Sequence, residues 1–294
     1  MTFLLSLLAM AQVGPFVTPR PQSSSPLPPE VVERKQRDQQ RRRQEAPTRE
    51  APPPPQAPAE RSQLDECLAA VNADPGQAVD LAQAWLQTAK GAAASQAGHC
   101  LGVALGRLER WDEAESAFLA ARESAGDQKS RARLGAMAGN AALARNAPGA
   151  ALVSLDAAHA DALAGGDKQL AGDVAIDRAR ALVALKRDDD AASALAEARA
   201  ALPSNAQAWL LSATLSRRMN KLADAQAQIQ KAAELMPIDP EIGLEAGVIA
   251  VLSGRDEAAR KSWQSVIDAA PKSEAAATAR GYLAQLGGSA PAKP

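Results

Sequence analysis

The chain has 294 residues, 46% hydrophobic and 23% charged, with a formal net charge of −1; that length allows one large domain or a repeat array, and the charge balance gives no case for nucleic acid as the main ligand. Aromatic residues make up only 3%, alanine is abundant and β-branched residues are sparse. Alanine is the strongest helix former and strands favour valine, isoleucine and threonine, so the composition predicts an all-α protein with little or no sheet.

The chain opens MTFLLSLLAMAQ. Phe3 to Met10 is a short apolar run, and Ala9-Met10-Ala11 has the small-x-small form of a signal-peptidase site before Gln12. The run is too short to span a bilayer, and no lysine or arginine precedes it. Residues 1–11 are therefore expected to be a cleaved export signal, giving a periplasmic or secreted protein; the other reading is a plain apolar start. No cysteine follows the run, which argues against a lipid anchor, and no later stretch is long and apolar enough for a transmembrane helix. Residues 12–61 form a proline-rich linker, including Pro52-Pro53-Pro54-Pro55. Proline lacks an amide donor and fixes φ, so the linker is expected to be disordered and partly stiff. Within it EVVERKQRDQQRRRQE, residues 30–45, lacks proline and glycine and predicts a short charged helix. Its Arg41-Arg42-Arg43 could contact acidic envelope components weakly; interleaved acidic residues favour a solvated spacer.

From Ser62 the pattern changes. SQLDECLAAVNADPGQAVDLAQAWLQTAKG reads as helix–turn–helix, with Asp74-Pro75 opening the second helix. Further on, Ala191, Ala225 and Ala259 recur every 34 residues, and Pro203, Pro237 and Pro271 recur at the same interval. Two independent markers with one period, and two helical segments per period, indicate a helical solenoid. Between Ala151 and Ala191 the interval is 40, which predicts a lengthened helix end or loop near Asp161–Asp173.

The segment LGVALGRLERWDEAESAFLAA, residues 101–121, resembles a tetratricopeptide repeat (TPR): Leu101-Gly102, Leu105, Leu108, Trp111, Ala114, Phe118 and Ala121 fall where that family places its small and large packing residues. Residues 208–237 are similar through Trp209, Ala213, Leu222, Ala225, Ile229, Ala232 and Pro237, and residues 243–271 through Ala246-Gly247, Gly254, Ala259, Trp263 and Pro271. The resemblance implies a right-handed TPR-like solenoid of about six hairpins over 62–287. The helix after Pro271, SEAAATARGYLAQLG, would cover the exposed end, with a disordered tail at 288–294.

The resemblance implies further that first helices stand side by side. Cys67 and Cys100, the only cysteines, both fall on first helices of consecutive units; export would allow a disulfide between them, and two buried thiols are the alternative. No Cys-x-x-Cys, Gly-rich phosphate loop, His-Glu-x-x-His or Gly-x-Ser-x-Gly occurs. His99 adjoins Cys100, but neighbouring helical side chains diverge by about 100°, which rules them out as a nucleophile–base pair. His159 is expected to be exposed on a second helix. Asp188-Asp189-Asp190 suits a helix start, where acidic residues favour the dipole. Trp85, Trp111, Trp209 and Trp263 are expected in the core. No catalytic residue, metal site or cofactor is expected.

The same resemblance implies a concave groove lined by the first helices, which binds a protein or peptide partner. Its candidate residues are His99, Val103, Arg107, Asn140, Arg180, Thr214 and Arg217, the arginines facing ligand carboxylates. The clamp some TPR domains use for acidic chaperone termini is not supported, because Asn140 lacks basic companions on its helix. The expected function is a non-enzymatic scaffold or adaptor in envelope assembly, cell-wall or division processes. The alternatives are a cytoplasmic assembly or regulatory TPR protein and an accessory enzyme of glycan processing.

Overall fold

The computed structural model describes residues 29–44 and 62–288; the expected export signal, the remainder of the linker and residues 289–294 lie outside them. The chain divides into two units at Ala59/Glu60. In the first, α1 (Pro29–Gln44) is mostly polar, and every residue from 33 to 41 is exposed. It carries an i,i+4 pair, Glu33–Arg37 at 3.6 Å, worth a few tenths of a kcal/mol.

The second unit contains thirteen helices and, among the described residues, no strand. They form six hairpins: α2 (Gln63–Ala73) with α3 (Pro75–Leu86), α4 (Ala92–Arg107) with α5 (Trp111–Ser124), α6 (Gln128–Ala144) with α7 (Pro148–Ala164), α8 (Lys168–Ala184) with α9 (Asp188–Ala201), α10 (Ala206–Arg218) with α11 (Leu222–Leu235), and α12 (Pro240–Leu252) with α13 (Asp256–Ala269). A last helix, α14 (Glu274–Gly288), packs on α13 and α12. It buries Ala275, Ala276 and Ala279 and turns Glu274, Arg280 and Gln285 to solvent, as a terminal cap of a solenoid requires.

Two local devices punctuate this array. Five hairpin turns share one C-terminal motif, in which Glu109, Asn146, Lys186, Asn220 and Gly254 take φ between 57° and 70°. The following amide reaches back to the carbonyl five residues earlier, as in Arg110 to Leu105, Ala147 to Ala142 and Arg187 to Leu182, at 2.8–3.0 Å. This satisfies carbonyls that the helix end leaves open and reverses the chain in three residues. First helices begin differently, with a polar side chain capping the amides. Ser62, Asp127, Asp167, Asn205 and Asp239 do so for α2, α6, α8, α10 and α12, and Ser273 does so for α14. α4 alone among the first helices starts at a glycine, Gly91, at φ 53°.

Within each hairpin a small residue on the first helix receives a large one from the second. A Cβ added at Gly102 would stand 2.5 Å from the Phe118 ring, and one at Gly139 2.5 Å from Leu155; at Gly247 it would overlap the Trp263 indole. Ala179 and Ala213, each buried, meet Leu195 and Ile229 in the corresponding places. Because each hairpin has apolar residues on both faces, the core runs on from unit to unit rather than closing into one globule. The 40-residue interval is accommodated in the helices: α6, α7 and α8 each have 17 residues, against 13 or 14 from α10 to α13.

Candidate partner-binding face

The first helices α2, α4, α6, α8, α10, α12 and α14 stand in sequence on one side of the solenoid. Polar bridges join them in alternate gaps. Arg107 of α4 reaches Asn72 of α2 at 3.5 Å. Asn140 of α6 donates to Asp177 of α8 at 2.9 Å, and Arg180 holds the other oxygen of that carboxylate at 2.7 Å. Arg217 of α10 grips Glu245 of α12 at 2.6 Å. The remaining gaps stay open as cavities: about 220 Å³ between α4 and α6, about 200 Å³ between α8 and α10, and about 360 Å³ between α12 and α14.

Each residue singled out from the sequence has a definite place here. His99 and Val103 are half-buried on α4. His99 lines the first cavity with Gln96, Ser130 and Arg133 and lies 6.5 Å from the Phe118 ring. Burial, and secondarily the Arg133 charge, hold its pKa below the ordinary imidazole value. Thr214 and Arg180 line the second cavity. The three arginines expected to face ligand carboxylates already have partners within the chain: Arg107 in Asn72, Arg180 in Asp177 and Arg217 in Glu245. The last pair is the most enclosed, with side chains 24% and 13% exposed. Reading the sequence one repeat at a time could not show Asn72 or Glu245, which sit 35 and 28 residues away, whereas Asp177 lies three residues before Arg180 on the same helix.

Cys67 and Cys100 are joined in a disulfide between α2 and α4, with Cα atoms 6.1 Å apart. His159 departs from expectation. It lies on the second helix α7 but is half-buried, its side chain 17% exposed, with Nε2 3.6 Å from Glu197. Arg178 bridges Asp156 at 2.8 Å and Glu197 at 3.2 Å beside it, and burial, followed by the Arg178 charge, lowers its pKa. Among the tryptophans, Trp85 and Trp263 are buried while Trp111 and Trp209 are half-buried. Trp209 forms a ledge under Arg199, 5.0 Å from ring centroid to guanidinium carbon, and donates to the Pro203 carbonyl at 3.0 Å. The reason is position: Trp209 lies one turn into α10, at the seam with the preceding second helix. Asp188, Asp189 and Asp190 fill the first turn of α9, and Arg187 pairs with Asp190 at 2.7 Å.

Several residues of the face were missed from the sequence. Arg218, Val183 and Leu211 complete the second cavity. Val248, Val251, Leu252, Tyr282 and Leu286 line the third, over the Trp263 ring. The signal was available: adding 34 to Thr214 gives Val248 and then Tyr282, and adding 34 to Arg218 gives Leu252 and then Leu286. One level of the face therefore changes from polar to apolar along the solenoid.

Among the described residues no group of three or more histidines, cysteines or acidic residues is placed to hold a metal, and no helix is long and apolar enough to cross a membrane. No protein-family profile and no curated protein matches the chain in sequence. Solved structures do match in fold. PilF of Pseudomonas aeruginosa is similar with a TM-score of 0.60 at 15% identity, over 76% of this chain and 96% of that one. PilW, described as a widely conserved type IV pilus biogenesis factor, is similar with a TM-score of 0.60 at 19% identity, over 74% and 96%. BtubC from P. vanneervenii gives 0.55 at 13% identity, over 80% and 96%. The fold is that of a tetratricopeptide-repeat solenoid.

Proposed function

We propose that this protein is a non-enzymatic adaptor of the cell envelope, which holds a protein partner against the face formed by its first helices. The observation that carries the reading is the alternation on that face: three gaps are bridged by polar pairs and three are left open, so the surface is rigid yet offers recesses for side chains. Recesses of about 200–360 Å³ lie at or below the small end of small-molecule pockets and suit side chains of a docked chain. The periplasmic placement is supported by the apolar start with its small-x-small site before Gln12 and by the Cys67–Cys100 pairing, which belongs to an oxidising compartment. Envelope assembly, cell-wall and division processes are the settings proposed for it; the pilus role named for PilW remains a statement about PilW.

Photo-crosslinking in living cells tests the face. A crosslinker placed at Val103, Asn140 or Thr214 is expected to capture a protein, and one at Val153, an exposed residue of the second helix α7, is expected to capture none. Adducts from Val153 alone would overturn the reading. Intact-mass measurement of the mature chain tests the location: a start at Gln12 is expected, and a retained Met1 would remove export.

A further inference from the structure

Resting on that reading, we propose that the C-terminal half of the face takes an extended, acidic–apolar peptide segment, with two apolar side chains six residues apart and a carboxylate two residues from the first. The first socket lies between α8 and α10. Its apolar wall is Val183, Leu211 and Leu215, and two guanidinium groups, Arg180 and Arg218, stand at its edge. Arg180 shares Asp177, whereas Arg218 has no ion pair or hydrogen bond from its side chain among the described residues. The socket therefore carries one uncompensated positive charge over an apolar floor. A leucine-sized side chain with an aspartate or glutamate two residues from it, on the same face of an extended chain, satisfies both features.

The second socket lies between α12 and α14 at the same level of the helices. Val248, Val251, Leu252 and Leu286 surround it, and it is floored by Trp263 with Tyr282 against that ring at 5.2 Å. Leu252 is 53% exposed, and no charged residue lines the socket. At about 360 Å³ it has room for an aromatic side chain.

The spacing selects the occupant's conformation. Packed helices stand about 8–10 Å apart, so sockets two gaps apart are separated by roughly 16–20 Å. An extended chain advances about 3.3 Å per residue and returns a side chain to the same face only at even steps, so an offset of six residues spans the distance. A helix would need about 12 residues at 1.5 Å each, and its diameter of about 10 Å would rest on the ridge between the sockets. That ridge is the Arg217–Glu245 pair, closed over at 2.6 Å; an extended backbone crosses it with its own polar groups.

The test uses the purified, oxidised full-length chain and fluorescein-labelled 13-residue peptides in a Gly/Ser background, read by fluorescence anisotropy. The lead peptide has Asp two residues before a Leu and Phe six residues after that Leu; comparison peptides replace Asp by Lys, move Phe to three residues after the Leu, or copy residues 13–25 of this chain. The lead is expected to bind at least tenfold tighter than each comparison peptide. Arg218→Glu is expected to remove the preference for Asp over Lys, and Leu252→Glu the preference for spacing six over three. Both positions are solvent-facing, and thermal melting of each variant checks that the fold is kept. Equal or undetectable affinity across the panel, tighter binding of the 13–25 copy, or indifference to both substitutions overturns the inference. If the peptides fail while crosslinks from Val103 and Asn140 persist, the sockets are wrongly assigned and the adaptor reading stands; loss of those crosslinks removes the adaptor reading itself.

Discussion

The solenoid is held together differently in its two halves. From α4 to α9 four of the six helices run to 16 or 17 residues, and charged groups tie neighbouring hairpins together: Arg122 of α5 to Asp161 of α7 at 2.5 Å, Arg145 just after α6 to Glu115 of α5 at 2.6 Å, and Arg178 of α8 to Asp156 of α7. The disulfide adds a covalent tie at the amino end. From α10 to α13 the helices keep the 34-residue period, and the fit is mostly apolar, as with Ile229 over Ala213 and Trp263 over Gly247. The comparison shows two ways of fixing the register of stacked hairpins, weighted differently in the two halves; the periodic half keeps one enclosed staple, Arg217–Glu245. A period that repeats places equivalent residues at one level without further help. Where added residues break the period, directional contacts between particular side chains hold neighbours in place.

Breaking the apolar half should have the largest effect. Trp263→Ala removes a buried indole together with its 3.1 Å hydrogen bond to the Leu244 carbonyl, and a loss of about 3–5 kcal/mol is expected. Because repeats contact only their neighbours, hydrogen exchange should accelerate in α12–α14 and leave α4–α7 nearly unchanged; equal acceleration throughout would show one cooperative unit instead. Next comes the covalent tie. Cys67→Ser with Cys100→Ser opens a loop of sequence separation 33, a change of about 3–4 kcal/mol on a chain-entropy basis. The exchange should quicken in α2–α5, and an unchanged denaturation midpoint would remove the disulfide from the stability of that half.

Asp161→Asn tests the polar staples. Asp161 accepts from Arg122, and Arg131 stands 3.8 Å away, so the substitution leaves two guanidinium groups facing each other without their anion. A loss of about 2 kcal/mol is expected, and urea denaturation measures it. The hairpin turns should respond in the opposite direction. Glu109 and Lys186 adopt left-handed backbone conformations at φ 58° and 59°, which cost a non-glycine residue about 1 kcal/mol or more. Either residue changed to glycine should raise stability by about 0.5–1 kcal/mol, the rest being offset by unfolded-chain entropy.

The smallest effect concerns pH. His99 has a lowered pKa, from burial first and Arg133 second, so the unfolded chain binds its proton more readily than the folded one. Stability should therefore fall as pH drops below the unfolded imidazole value of about 6.5 and level off below the folded value. His99→Gln should flatten that part of the profile, and a profile unchanged by the substitution would place the acid sensitivity elsewhere.

The tetratricopeptide-repeat fold was legible because its determinants are local. Alanine and glycine at Gly102, Ala213 and Gly247, large residues 16 positions later, and prolines at 34-residue intervals each act within one hairpin or between adjacent ones. The cysteine placement was legible on the same ground, since the repeat puts both residues on adjoining first helices. The face was read less completely. Arg107 and Arg217 could be placed on first helices but not paired, because Asn72 and Glu245 become their neighbours only when hairpins stack; Asp177, three residues before Arg180 on the same helix, was within reach of a sequence reading. His159 and Trp209 were misjudged for the same reason, since Glu197, Arg178 and Arg199 come from adjacent helices.

By itself, the sequence determined the hairpins, their turns and the way small residues admit large ones, because steric fit and backbone bonding operate over a few turns of chain. Only the tertiary structure decided which gaps between first helices are bridged and which stay open. That depends on the offset between successive units, which the 17-residue helices α6 to α8 alter, and on which charged side chains the offset brings within reach of one another.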